Sequence, residues 1–413
     1  MKNPNGQPVL LRNARLILPE QVAEASSLLI EDGRIAKVFE SETDQLPVVE
    51  SVIDLDGLTL FPGFIDIHIH GATGVDAMAA TADDLRRVSE FLAQNGVTAW
   101  LPTLVPAATE QYEQATHAIT TVIEHQESLF APSALNADGA SALPAKPARV
   151  LGVHYEGPFV SSEQCGALHR EHFRTFKDPT DLDSLPMIKQ ESAVHLMTLA
   201  PEIAGGIELI KELRRRGWIV SIGHTRAASE VLDEALRAGA RHLTHFMNAM
   251  PPLHHRAPGP VGWGLIRDEV TCDLIADGVH LDPSILKLIL QNKTAERISL
   301  ISDAVAPTGL GDGEYQIWGE TIRVENGRTQ NARGSIAGSV ITMLDAVRMM
   351  LSLGVSESDV ARMASLNPAR LLGIDDDCGS IQEGKRADLI ALDPEGNVRM
   401  VLVAGVPAME NGK

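Results

Sequence analysis

A (β/α)8 TIM-like barrel with a small β-sandwich domain built from both chain ends is the architecture that this 413-residue sequence predicts. Three observations predict it. Between residues 62 and 372, short apolar runs alternate with amphipathic helical ones, the rhythm of a parallel barrel. Imidazole and carboxylate side chains fall at the ends of those runs, where a barrel keeps its active site. Residues 1–61 and 373–413 have another texture, short strands parted by Gly-containing turns, and neither end alone has enough strands to bury a face.

In chain order, the head reads as strands at 9–11, 15–18, 27–30, 35–39, 52–55 and 58–61, with Asp32-Gly33 and Asp56-Gly57 as hairpin turns. The barrel then opens at Pro62-Gly63. Along residues 64–70 Ile65, Ile67 and Ile69 point one way and Asp66, His68 and His70 the other, so two imidazoles lie side by side on one strand. Helices at 83–94 and 109–125 flank a strand at 97–101, and a Ser/Ala/Pro/Gly-rich loop at 131–147 precedes the strand at 150–156. Strands at 194–199, 218–222, 243–245, 272–275 and 298–301 follow, interleaved with helices at 206–216, 227–238, 283–291 and 341–353. The stretch after His245 reads as loop. The tail supplies strands at 387–392 and 398–403 around a Pro-Glu-Gly-Asn turn. A doubly wound sheet would need a Gly-rich phosphate loop after its first strand, and Gly71-Ala72-Thr73-Gly74 is too weak for one.

Composition narrows the function. Apolar residues make up 44% of the chain and its mean hydropathy is near zero, as expected of a soluble protein with a large core. Fifty-five acids against 35 bases give a formal charge of −20, which argues against nucleic acid or an anionic membrane as partner. Screening within about 8 Å still lets a few local cations hold a small anion. Cys165, Cys272 and Cys378 are scattered, so neither a disulfide framework nor a thiolate zinc site is expected. The start, Met1 to Gly6, has no apolar signal core, and a cytoplasmic protein is the expectation.

Four further residues join His68 and His70 at strand ends: Glu156, His224, His245 and Asp303. A single His or Asp after an apolar strand is commonly structural, but six at strand ends describe a metal site. His117, His125 and His195 sit inside helix or strand patterns and read as structural. Asp277 to His280 follows the seventh strand, at the face that favours substrate contact. His254-His255-Arg256 follows the sixth in a Pro-rich loop, and residues 334–339 offer backbone N–H groups to an anion or sugar.

The run 62–70 resembles the opening strand of the amidohydrolase superfamily. More narrowly, His154-Tyr155-Glu156-Gly157-Pro158-Phe159, Gly223-His224-Thr225, Thr244 to Met250, Ala276 to His280 and Ser302-Asp303-Ala304 resemble the N-acetylglucosamine-6-phosphate deacetylase family, nearly end to end. The resemblance implies that Glu156, His224 and His245 hold the principal divalent metal. It also implies that His68 and His70 support a second ion bridged by Glu156. Zinc or iron would serve, with one or two ions per chain. It casts Asp303 as the catalytic acid/base, and Ala167, Asn248, Ala249, Arg256, Asp277, His280, Ile336, Ala337 and Gly338 as contacts for sugar and phosphate. His169 is expected to touch the acetyl group and steady the oxyanion, although Gly166-Ala167-Leu168-His169 carries one residue more than the family's run. A homodimer, with loops completing the neighbour's pocket, is also implied.

The reaction expected is hydrolysis of the acetamide of N-acetylglucosamine 6-phosphate to glucosamine 6-phosphate and acetate, a step of amino-sugar catabolism and cell-wall sugar recycling. An amidohydrolase for a cyclic amide or an N-acyl amino acid is the nearest rival, which the Arg256 loop opposes. A non-catalytic metal-binding scaffold is the rival of another class, and it leaves Asp303 unexplained.

Overall fold

The computed structural model describes residues 8–41, 44–126 and 146–408. Most of the loop expected at 131–147, and residues 1–6, lie outside the described residues. One eight-stranded sheet unites the chain ends. It runs Val406–Pro407, Val398–Val403, Leu389–Leu392, Thr59–Pro62, Val9–Ile17, Val22–Glu31, Arg34–Phe39, with Ser51–Asp54 also on Val9–Ile17. Head meets tail where Leu389–Leu392 lies antiparallel to Thr59–Pro62. Leu11, Leu16, Leu28, Ile35 and Leu60 from the head share a core with Ile381, Leu389 and Leu402 from the tail.

Asp32-Gly33 does form a tight turn, with φ of 49° and 77°. Two other expectations need correction. The runs 9–11 and 15–18 are one strand, Val9–Ile17, whose register shifts between Leu11 and Ala14 at left-handed Asn13 (φ 56°). Asp56-Gly57 closes no hairpin, because Ser51–Asp54 and Thr59–Pro62 both lie parallel to successive parts of that strand. The bulge explains this: Asn13 Nδ2 reaches Asp54 Oδ1 at 2.8 Å and Asn13 O accepts from Gly57 N at 2.8 Å, fixing the turn against the strand.

The barrel strands are Phe64–Ile69, Val97–Leu104, Arg149–Val150 with Gly152–Glu156, Val194–Leu199, Ile219–Ile222, His242–Leu243, Thr271–Ile275 and Ile298–Ile301. Each pairs in parallel with the next in sequence. The eighth returns to the first just past its end, where Asp303 N donates to His68 O at 2.9 Å and His70 N to Ala304 O at 2.8 Å. Amphipathic helices cover the outside. Ala82–Gln94 shows the local logic: Thr81 and Asp84 make a reciprocal N-terminal cap, a Thr cap contributing about 1 kcal/mol, while Leu85, Val88 and Leu92 are buried on the barrel side.

Several elements differ from the expected string. Gly259–Ile266 is a buried helix where loop was expected, since two inner Gly and a Pro mask its apolar content. Residues 313–331 form a three-stranded antiparallel sheet inserted after the eighth strand. Short helices Glu357–Ala361 and Asn367–Leu372 lead back to the sheet of the chain ends.

Candidate metal centre and active site

All six strand-end residues meet at one mouth of the barrel. Glu156 stands at the centre: its Oε1 lies 2.9 Å from His224 Nε2, 3.0 Å from His245 Nε2 and 3.6 Å from His68 Nε2, and its Oε2 lies 3.4 Å from His70 Nε2. Asp303 Oδ1 faces the other side, 3.3 Å from His70 Nε2 and 3.5 Å from His68 Nε2. Every one of these residues is buried. His68, His70 and Glu156 form one group of converging ligand atoms, and Glu156, His224 and His245 a second that shares the carboxylate.

The backbone is bent to achieve this. His224 (φ 46°), His245 (φ 30°) and Asp303 (φ 50°) all adopt the left-handed conformation two residues past the ends of their strands. Such a conformation costs of order 1–3 kcal/mol for a residue with a side chain, and it concentrates at sites of function. Asp303 is held from both sides, its N–H on His68 O and its carbonyl accepting Ser339 N at 2.7 Å. Gly338 permits that approach, because a Cβ there would lie 2.8 Å from Asp303 O.

The donor set fits a cation. His70 Nδ1 lies 3.1 Å from Thr103 O and His224 Nδ1 2.8 Å from Gln164 O. A carbonyl only accepts, so each Nδ1 carries the proton and each Nε2 turns its lone pair into the cluster. Paired Nε2 atoms face each other at 3.3 Å (His68, His70) and 3.1 Å (His224, His245), a spacing that suits two ligands of one ion. Charge agrees: burial opposes charge on His70, yet Asp303 and Glu156 outweigh it and raise its pKa to about 10. Burial would likewise lift Glu156, but the surrounding imidazoles hold it well below the usual carboxylate range. His68 goes the other way: burial and the neighbouring imidazoles hold it well below the ordinary histidine value, so the two carboxylates favour a cation beside His70 and His245 while His68 stays neutral.

Beneath the cluster lies a polar layer. His154 Nδ1 donates to Ile67 O at 3.0 Å, its Nε2 meets Thr198 Oγ1 at 2.8 Å, and Thr198, Thr244 and Ser221 hydroxyls continue the chain. Burial holds His154 down at about 3, so it stays neutral. On the first strand, burial raises Asp66 to about 7 while it accepts from Ser302 Oγ at 2.5 Å.

A cavity of about 240 Å³ opens above the cluster, lined by the expected Ala167, Asn248, Ala249, His280, Ile336 and Gly338. Asn248 Nδ2 finds no partner among the described residues. Four expected contacts do not line it. Asp277 stands behind His280, accepting its Nδ1–H at 2.7 Å and fixing its ring. Ala337 is buried, its N–H donating to Thr329 Oγ1 at 3.1 Å. Arg256 is exposed beside His255, 2.7 Å away. Leu168 lines the cavity in place of His169, whose ring lies 3.2 Å from Glu171 and 3.4 Å from Glu320. Gly166, Leu168 and Trp318 complete the lining without having been singled out; the alternation around Trp318-Gly319 was the available signal.

Fold and site define a metal-dependent hydrolase built on a (β/α)8 barrel. The amidohydrolase family model matches residues 59–408, and the chain belongs to that family. Within it the chain is 34% identical to N-acetylglucosamine-6-phosphate deacetylase of Bacillus subtilis (97% of this chain, 96% of the relative). It is 36% identical to N-acetylgalactosamine-6-phosphate deacetylase of Escherichia coli O157:H7 (96% and 98%). A solved N-acetylglucosamine-6-phosphate deacetylase mutant from Mycobacterium smegmatis, in complex with N-acetyl-D-glucosamine-6-phosphate, superposes with a TM-score of 0.83 at 30% identity, covering 98% of this chain and 100% of that one.

Proposed function

We propose that this chain hydrolyses the acetamide of N-acetylglucosamine 6-phosphate, releasing acetate and glucosamine 6-phosphate. The observation that carries it is Asp303 facing a five-residue His/Glu cluster at the floor of a cavity that Asn248, His280 and Ser335 also line. Glu156, His224 and His245 would hold the principal ion, and His68 and His70 with Glu156 a second; imidazole with carboxylate suits zinc or iron. A divalent ion held there supplies Lewis acidity for the amide carbonyl and brings the pKa of water toward neutrality. Asp303 Oδ1 accepts the proton of the attacking water and returns it to the sugar nitrogen, since the amine leaves readily only when protonated. Asn248 and His280, the latter steadied by Asp277, would hold the sugar, with the N–H groups of Ile336 and Gly338 left for its phosphate, since those of Ser335 and Ala337 already donate to Asn331 and Thr329. With His169 turned toward Glu171 and Glu320, and the Leu168 N–H donating to Cys165 O at 2.9 Å, the N–H groups of Gly166 and Ala167 are the candidates for the oxyanion.

Acetate release should be measured with N-acetylglucosamine 6-phosphate, its C4 epimer and the unphosphorylated sugar. The E. coli relative named for the galacto sugar makes the epimer a real second reading. Faster turnover of the epimer would reassign the substrate, and turnover of neither phosphate would end the proposal.

The exposed His254-His255-Arg256 cluster supports a homodimer in which Arg256 serves the neighbour's cavity, where a guanidinium can grip phosphate through paired N–H bonds. Arg256→Ala should then cost the phosphorylated sugar roughly tenfold to a hundredfold in kcat/KM. Mixing Arg256→Ala with Asp303→Asn subunits should restore part of the activity. No recovery from a preparation shown to contain mixed dimers would sink the shared site.

A further inference from the structure

The inserted sheet at 313–331 has no part in the proton transfers above, yet its first turn reaches the cavity. Ile317 pairs with Glu320, leaving Trp318 and Gly319 as a two-residue turn with φ of 51° and 79°. Both angles are positive, the backbone of a type I′ turn, which favours Asn, Asp or Gly at its first position. The second turn of the same sheet obeys that preference: Asn326-Gly327, with φ of 51° and 74°, joins Glu325 to Arg328. A large aromatic in the left-handed region is therefore an outlier inside a sheet that otherwise follows the rule, and such an outlier points to function. Ile317 anchors the turn by packing with Ala167, Val305, Ala306 and Ala337. The indole is thereby set edge-on to His70, with ring centroids 5.1 Å apart and planes at 80°.

We propose that Trp318, with Leu168 and Ile336, walls the acyl pocket and sets the length of acyl chain that can be removed; this rests on the deacetylase reading above. An amide under attack must place its carbonyl carbon at the His/Glu cluster. Its nitrogen leads to hydroxyls and phosphate, which call for the polar lining of Asn248, His280 and Ser335. Its methyl calls for an apolar wall, and the large apolar side chains of the cavity are Trp318, Leu168 and Ile336. Of these, Trp318 is the one in ring contact with a residue of the cluster, so it stands where a longer acyl chain would extend. A stiff indole on an anchored turn cannot fold away as a flexible side chain could.

The test compares kcat/KM for N-acetyl-, N-propionyl- and N-butyryl-glucosamine 6-phosphate in the wild type, Trp318→Asn and Trp318→Phe. Asn suits the turn, so Trp318→Asn should keep or raise Tm. Its propionyl-to-acetyl ratio should rise at least about tenfold, the lower end of what one methylene is worth in an apolar pocket. Trp318→Phe should fall between the two. The Kd of glucosamine 6-phosphate, which has no acyl group, should be unchanged in both variants by calorimetry. An unchanged ratio in a Trp318→Asn protein of normal Tm and metal content overturns the assignment, as does equal loss of affinity for the acyl-free sugar. If Trp318→Asn does not fold, Trp318→Leu carries the same comparison. Acetate release by the wild type with a static ratio removes the wall alone; no acetate release removes the deacetylase reading and the wall together.

Discussion

Asp303, the proposed carrier of the proton, has its Oδ1 3.3 Å from His70 Nε2 and 3.5 Å from His68 Nε2, on a backbone pinned by two hydrogen bonds. Asp303→Asn keeps the shape and removes the base, so the variant should retain fold and metal while turnover drops by roughly 10² to 10⁴. Near-normal turnover would put the proton on another group. His68 contributes to only one of the two ligand groups. Elemental analysis of His68→Asn should therefore show about one ion fewer per chain than the wild type, and an unchanged ratio would remove His68 from the site. These residues were legible in the sequence because strand periodicity puts Asp66, His68 and His70 on one side, and because His and acidic residues closed apolar runs. The lining was less so. Whether Leu168 or His169 faces the cavity depends on one residue in a loop with no period, and the exposure of Arg256 depends on a Pro-rich turn whose path no pattern predicts.

Elements with a clear period were found nearly to the residue, as with the helix Thr109–His125. Those that escaped have masked signals. Gly and Pro hide the helix Gly259–Ile266, and the inserted sheet passed unread although Asn326-Gly327 is a strong hairpin dipeptide. The seam between sheet and barrel offers its own test at Asp388, whose carbonyl accepts Gly63 N at 2.8 Å. Its carboxylate meets Arg386 at 3.0 Å and Arg149 at 3.7 Å. Burial would raise its pKa, but Arg386 and Arg149 outweigh burial and lower it. A lowered carboxyl pKa means stability present above the ordinary value of 3.8 and lost as pH falls below it. Asp388→Asn should cost about 3 kcal/mol near neutral pH by removing the buried carboxylate that faces both guanidinium groups. Urea melts should show the deficit shrinking below about pH 4. A deficit independent of pH there would mean that the carboxylate's charge is not what joins the two units.

At the scale of the whole molecule, the barrel closes through the site itself: the bonds joining the eighth strand to the first, Asp303 N to His68 O and His70 N to Ala304 O, belong to residues of the proposed metal and proton-transfer site. Closure and ligand geometry therefore stand together, and the formal charge of −20 leaves recognition of an anion to a few local groups. The central claim is that the cluster around Glu156 holds the divalent ion on which hydrolysis depends. The most direct measurement is acetate release from N-acetylglucosamine 6-phosphate as chelator-stripped protein is titrated with zinc or ferrous ion, for the wild type and Glu156→Gln. Activity should climb from near zero to a plateau in the wild type and stay near zero in the variant. Full turnover by stripped wild type, or recovery of Glu156→Gln to the wild-type plateau, would contradict the account.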